Sequence, residues 1–197
     1  MRLIFGGVPR RSGVIETRSL ALDGLVEIMP EKFGDERGFF SETWNNASLR
    51  EIGIELEFVQ DNHSLSAARG VLRGLHYQLP PFAQDKLVRV SRGAIFDVAV
   101  DLRRNSASFG QWEGLVISAE KWNQLFIPRG FAHGFVTIED NTEVQYKVTS
   151  LYSARHDRGI RFDDPRIGIE WPGAAPFQLS TKDEGLPPMT AAELPED

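Results

Sequence analysis

Apolar residues recur in short runs separated by Gly, Pro, Asn or Asp, at roughly the ten-residue spacing of an all-β sandwich or barrel. Residues 95–102 alternate with a period of two. Phe96, Val98, Val100 and Leu102 fall on one face, and Ile95, Asp97, Ala99 and Asp101 on the other. Residues 143–149 repeat the pattern, with Val144, Tyr146 and Val148 opposite Glu143, Gln145 and Lys147. Lys86 shares parity with Val88 and Val90. Both segments therefore aim a polar side chain, Tyr146 or Lys86, toward an apolar side. There a phenol or an amine needs a partner or a ligand. Further strands are expected over 26–33, 38–43, 56–60, 71–78, 112–117, 124–127 and 133–138. One helix is expected over 47–52, capped by Asn45 or Asn46 and stopped by Gly53. Many short strands with one or two short helices describe a jelly-roll β-barrel, a form that often holds a small ligand between its sheets.

Composition narrows the field. The 197 residues include 22 basic and 28 acidic side chains, a formal net charge of −6. That balance argues against a nucleic-acid binder working by phosphate neutralisation. Cysteine is absent, which removes disulfides, thiolate metal sites and cysteine nucleophiles together. No apolar run approaches the ~18 residues of a membrane helix, and Leu3-Ile4-Phe5 is too short for a signal-peptide core. A cytoplasmic protein without membrane or nucleic-acid partners is the expectation. Residues 1–20 read as an N-terminal arm, 21–184 as a single catalytic domain, and 185–197, with three prolines and no basic residue, as an exposed acidic tail.

Candidate chemistry centres on His76 and His133. The run Pro128-x-Gly130-x-x-His133 resembles the second motif of cupin barrels, where the histidine starts a strand and faces inward. In many cupins it binds a metal together with a His-x-His pair. Here position 78 is Gln78, so the ligand set is short, and no metal is expected. Taken singly, each inward residue also has an ordinary reading. His76 or His133 fits a satisfied core histidine, Tyr146 a core tyrosine, Lys86 a rim lysine reaching solvent, and Asp183 a solvated carboxylate.

The order of motifs changes that balance. Asp35–Glu42, Gln60-Asp61-Asn62-His63-Ser64, Arg73-Gly74-Leu75-His76, Lys86-Leu87-Val88, the Phe96–Asp101 run, Pro128–Gly134, Tyr146-Lys147, Glu170-Trp171-Pro172 and Ser180-Thr181-Lys182-Asp183 follow one another along the chain. Together they closely resemble the dTDP-4-dehydrorhamnose 3,5-epimerase family, over about three-quarters of the chain. The resemblance implies a metal-free, cofactor-free cupin homodimer that inverts C3 and C5 of dTDP-4-dehydro-6-deoxy-D-glucose, feeding L-rhamnose synthesis for cell-envelope polysaccharides.

It also implies roles. His76 would be the base and Asp183 its partner. Lys86 would offset charge at the C4 oxygen, and Tyr146 would return the proton. Imidazole suits the base because its ordinary pKa of ~6.5 leaves a neutral fraction at pH 7. Arg37, Glu42, Gln60, Asp61, Asn62, Arg73, Lys86 and Lys182 match positions that contact the nucleotide sugar. His133 matches a position near the substrate, and Tyr152 an aromatic that stacks on the base. Asp157 stands where some members carry a longer glutamate, so a direct contact with the base is open against a place in the loop's own ion pairs. A single-site epimerase, a metal-dependent cupin and a non-catalytic sugar-nucleotide binder are the competing readings.

Overall fold

The computed structural model describes residues 15–173 and 176–196. Thirteen strands and two short helices are present among them: β1 (Glu16–Ser19), β2 (Val26–Met29), β3 (Phe33–Asp35), β4 (Gly38–Phe40), α1 (Asn46–Glu51), β5 (Gln60–Ser66), β6 (Leu72–Gln78), β7 (Lys86–Arg92), β8 (Ala94–Asp101), β9 (Trp112–Ser118), β10 (Gln124–Ile127), β11 (Phe131–Thr137), β12 (Thr142–Val148), β13 (Asp157–Gly159) and α2 (Thr181–Glu184). Two antiparallel sheets form the barrel. One runs β1-β2-β10-β7-β12-β5 and the other β13-β6-β11-β8-β9, while β3 and β4 make a separate hairpin.

Alternation along the strands builds three apolar layers. Between the sheets, Val88, Val90, Leu125, Ile127 and Val144 of one sheet meet Ile95, Ala99, Ile117, Phe131 and Phe135 of the other, with Tyr146 against them. The opposite face of the five-stranded sheet buries Leu75, Tyr77, Val98, Val100 and Ala132 beneath Ile160, Ile167 and Trp171. The outer face of the six-stranded sheet packs Ile28, Leu87 and Phe126 beneath Leu49 of α1 and the Ile54–Phe58 segment. Both faces of β8 are therefore dry, and its Asp97 lies on the barrel side with Ile95 and Ala99, fully buried.

The helix at 47–52 is present as α1, and Asn45 is its N-cap, its side chain accepting from Ala47 N. The strand expected at 56–60 instead begins at Gln60 and runs to Ser66, while Leu56 and Phe58 pack beside α1. The reason is chemical. In β5 the more buried positions are Gln60, Asn62, Ser64 and Ser66, whereas Leu65 is exposed. A strand that turns polar groups inward lacks the apolar alternation by which a strand is recognised. The two termini differ from expectation as well. Residues 16–19, read as part of an arm, pair antiparallel with β2, and residues 1–14 lie outside the described residues. The segment read as an exposed tail is docked. Met189, Ala192 and Leu194 pack on the outer cluster of the five-stranded sheet. Tyr77 Oη donates to Glu193 O at 2.7 Å, and Arg158 pairs with the Glu193 carboxylate at 2.7 Å. Side chains from β6 and β13 thus pair the Glu193 carboxylate and satisfy its backbone carbonyl.

Candidate active site

The β6 and β11 strands approach closely. A Cβ on Gly74, whose φ is +130°, would sit 2.5 Å from Gly134 Cα, so glycine is required there. The register pairs His76 of β6 with His133 of β11. Between the sheets a cavity of about 400 Å³ opens, lined by Asn62, Arg73, His76, Gln78, Lys86, His133, Tyr146, Tyr152, Asp157, Lys182 and Asp183, with His63, Ser64, Tyr77, Gln84, Phe135 and Ser180 completing the wall. Ten of the sequence-derived candidates meet here. Four do not line it. Arg37 sits on the exposed β3–β4 turn, ion-paired with Asp35. Glu42 lies before α1 and accepts from Ser48 Oγ at 3.4 Å. Asp61 alternates with Asn62 on β5, is exposed, and pairs with Lys147 at 3.1 Å. Gln60 is adjacent to the cavity and serves one side chain and one backbone amide: its Nε2 donates to Asn62 Oδ1 and its Oε1 accepts from Tyr152 N.

His76 Nε2 lies 2.5 Å from Asp183 Oδ1. An ionised carboxylate only accepts, so the ring proton sits on Nε2 and the lone pair on Nδ1. Among the described residues Nδ1 has no hydrogen-bond partner. Asp183 is buried in α2, where Ser180 caps the helix by accepting from Asp183 N at 3.1 Å. Burial works to raise its pKa, but the hydrogen bond and charge of His76, helped by Ser180, hold it below the ordinary carboxylate value. The Ser180-x-x-Asp183 spacing carried this helix start in the sequence.

Lys86 is buried, and its Nζ donates to His76 O at 3.4 Å. Burial pulls its pKa down to about 8, against the upward pull of Asp97 and then Asp157. Sequence reasoning gave Asp97 no role, although an acid sharing a face with Ile95 and Ala99 was the visible signal. Both its carboxylate oxygens accept from His133 Nε2, at 3.0 and 2.9 Å. Burial lowers the pKa of His133, with Asp97 opposing. Tyr146 is half-buried beside Val144 and Val148, and its hydroxyl has no hydrogen-bond partner among the described residues. Burial raises its pKa, so the phenol keeps its proton at neutral pH.

At the mouth, Arg73 is exposed and, among the described residues, its guanidinium makes only long contacts, 3.4 and 3.5 Å, to Ser66 Oγ. Its guanidinium fork is thus available to an anion. Tyr152 is 60% exposed. Asp157 accepts from Tyr152 Oη at 3.1 Å and from Lys182 Nζ at 2.5 Å. Rather than an ion pair within its own loop, it pairs with Lys182 of α2 while also lining the cavity. Among the described residues no three His, Cys, Asp or Glu side chains cluster to hold a metal ion. Gln78, at the place of a cupin's second histidine, spends its amide on backbone groups. The arrangement offers a basic imidazole, a buried cation and an unpartnered phenol around one space, which is the equipment for moving protons next to a carbonyl.

Residues 19–191 match the family described as dTDP-4-dehydrorhamnose 3,5-epimerase. The chain belongs to this family. A relative of that name from Sinorhizobium fredii is 51% identical over 178 residues, 90% of each chain. Among solved structures, the dTDP-6-deoxy-D-glucose-3,5-epimerase of Legionella pneumophila in complex with dTDP-4-keto-L-rhamnose superposes with a TM-score of 0.89 at 42% identity, covering 93% of this chain and 98% of that one. The Bacillus anthracis dTDP-4-dehydrorhamnose 3,5-epimerase with TDP and pyrophosphate bound gives 0.86 at 46% identity, covering 89% and 99%. The expected cupin architecture and the isomerase class are thereby established for this chain. Among the described residues of this epimerase, no helix is long and apolar enough to cross a membrane.

Proposed function

We propose that the enzyme converts dTDP-4-dehydro-6-deoxy-D-glucose to dTDP-4-dehydro-L-rhamnose in the cytoplasm by proton transfer at C3 and C5. The observation that carries this reading is the convergence of the His76–Asp183 pair, Lys86 and Tyr146 on one cavity. His76 Nδ1 takes the α-proton, and the C–H electrons move into the C4 carbonyl to give an enolate. Asp183 stabilises the imidazolium. Protonated Lys86 donates to the enolate oxygen, in a site dry enough for that charge to count. Tyr146 then gives its phenolic proton to the opposite face of the same carbon, which inverts it. The imidazolium and tyrosinate exchange protons with solvent, and the cycle repeats at the second carbon. Only protons move, so the step needs no cofactor. Arg73 and Lys182 hold the diphosphate, Asn62 and His133 flank the sugar, and Tyr152 stacks on the thymine. Assaying this conversion directly tests the reading. Turnover of the dTDP-ketosugar with inversion at both carbons supports it, and no turnover rejects it.

A homodimer completes the proposal. The β3–β4 hairpin exposes Phe33, Phe39 and Phe40, the last at 70%, a patch suited to burial against a second copy. Arg37 and Glu42 lie on or near that hairpin, outside their own cavity, and we place their substrate contact at the cavity of the second chain. Mixing Arg37→Ala with His76→Ala subunits should then restore about a quarter of wild-type sites, because each mixed dimer regains one intact site. Absence of complementation would return Arg37 to a surface role.

A further inference from the structure

The loop that carries Tyr152 crosses the cavity mouth between the two sheets, and three consecutive residues of it are tied down by buried or half-buried amides. Gln78 of β6, 6% exposed, uses its whole amide. Its Nε2 donates to Phe82 O at 2.7 Å and Leu151 O at 3.2 Å, and its Oε1 accepts from Ser153 N at 2.6 Å. From the other sheet, Gln60 of β5 accepts from Tyr152 N at 3.0 Å. The Tyr152 ring is exposed and held only at its hydroxyl, by Asp157 at 3.1 Å, so the backbone clamp is what sets where the ring starts from the barrel. The Pro80-Pro81 turn belongs to the same device. It brings Phe82 O onto Gln78, and it brings the Phe82 ring against His156 at 4.7 Å between centroids.

We propose that Gln78 is a positioning residue for nucleotide affinity. Standing two residues after His76 on one strand, it fixes the 151–153 backbone and so aims Tyr152 at the base, without taking part in proton transfer. The proposal rests on the reading that Tyr152 contacts the base. An amide that satisfies one donor and two acceptors cannot be replaced by an apolar side chain of similar length without releasing all three. A stacking ring on a released loop must then be ordered at each binding event, which weakens binding rather than chemistry.

The test compares dTDP and inorganic pyrophosphate binding to the wild type, Gln78→Met, Tyr152→Ala and the double variant, with kcat and KM for the ketosugar measured alongside. Gln78→Met is expected to weaken dTDP and raise KM by roughly tenfold, with kcat changed far less and pyrophosphate affinity retained. In the Tyr152→Ala background the same substitution should add little, because the two act through one contact. Unchanged dTDP affinity in Tyr152→Ala removes the base-contact reading. Weakened dTDP in Tyr152→Ala but not in Gln78→Met overturns the positioning role alone. Equal loss of dTDP and pyrophosphate, or a fall of kcat in step with KM, also overturns it. Should Gln78→Met not fold, amide hydrogen exchange in the wild type decides. Strand-like protection of Ser153 N–H supports the clamp, and loop-like exchange there refutes it.

Discussion

His76 and His133 face each other on neighbouring strands, and each leans on an aspartate, yet the two pairs differ in access. His76 is 30% exposed over a buried Asp183, whereas His133 is 8% exposed over a fully buried Asp97. The first pair keeps a ring nitrogen free at the cavity. The second is almost enclosed in the cavity wall over buried Asp97, which also favours the proton on Lys86. The same two residue types thus suit a proton acceptor where the ring is open to the cavity, and an electrostatic foundation where the ring is almost enclosed. Both rings line the cavity, so the more exposed ring of His76, with its unpaired nitrogen, rather than histidine–carboxylate pairing as such, marks it as the proposed base.

The largest test of that contrast is His76→Asn, which should lower kcat by about a thousandfold or more with little change in melting temperature. Steady-state kinetics on the ketosugar, paired with thermal unfolding, reads both. His133→Asn should reverse the order, losing more stability than rate, because it disturbs a buried pair. Next in size is Tyr146→Phe. It should impair inversion by roughly a hundredfold, while exchange of the proton handled by His76 continues, as seen by NMR in D₂O.

Lys86 sharpens the comparison through pH. In the proposed mechanism its cation stabilises the enolate, and burial lowers its pKa to about 8. The protonated fraction falls as pH rises through that value, and on the alkaline side kcat/KM falls with it. Asp97 pulls that pKa up, so Asp97→Asn should move the alkaline limb to lower pH. A limb that stayed in place would uncouple the foundation pair from the reaction. The smallest effect expected is at Asp157, whose pairing with half-exposed Lys182 is largely screened. Asp157→Ala should raise KM only a few-fold, measured by the same assay.

Legibility in the sequence followed the physics of each element. Strands that alternate apolar and polar residues declare their faces, so parity alone aims Lys86 and Tyr146 inward. The β5 strand did not, since its inward side chains are polar for the sake of the cavity. Asp97 was visible as an acid on an apolar face, but its partner His133 lies 36 residues away and only the β8–β11 register joins them. Asp183 illustrates the same limit. Nothing local links it to His76, 107 residues earlier, and only the resemblance to the family paired them in advance. Arg37, Glu42 and Asp61 came from that resemblance alone, and one chain does not bring them to the cavity.

The most direct test of the central claim is deuterium incorporation. The enzyme is incubated with dTDP-4-dehydro-6-deoxy-D-glucose in D₂O, and the sugar is read by NMR and mass spectrometry. Deuterium at both C3 and C5 with inverted configuration is the result predicted for a His76 base and a Tyr146 acid on opposite faces. Label at one carbon only, or inversion without solvent label, would contradict the account.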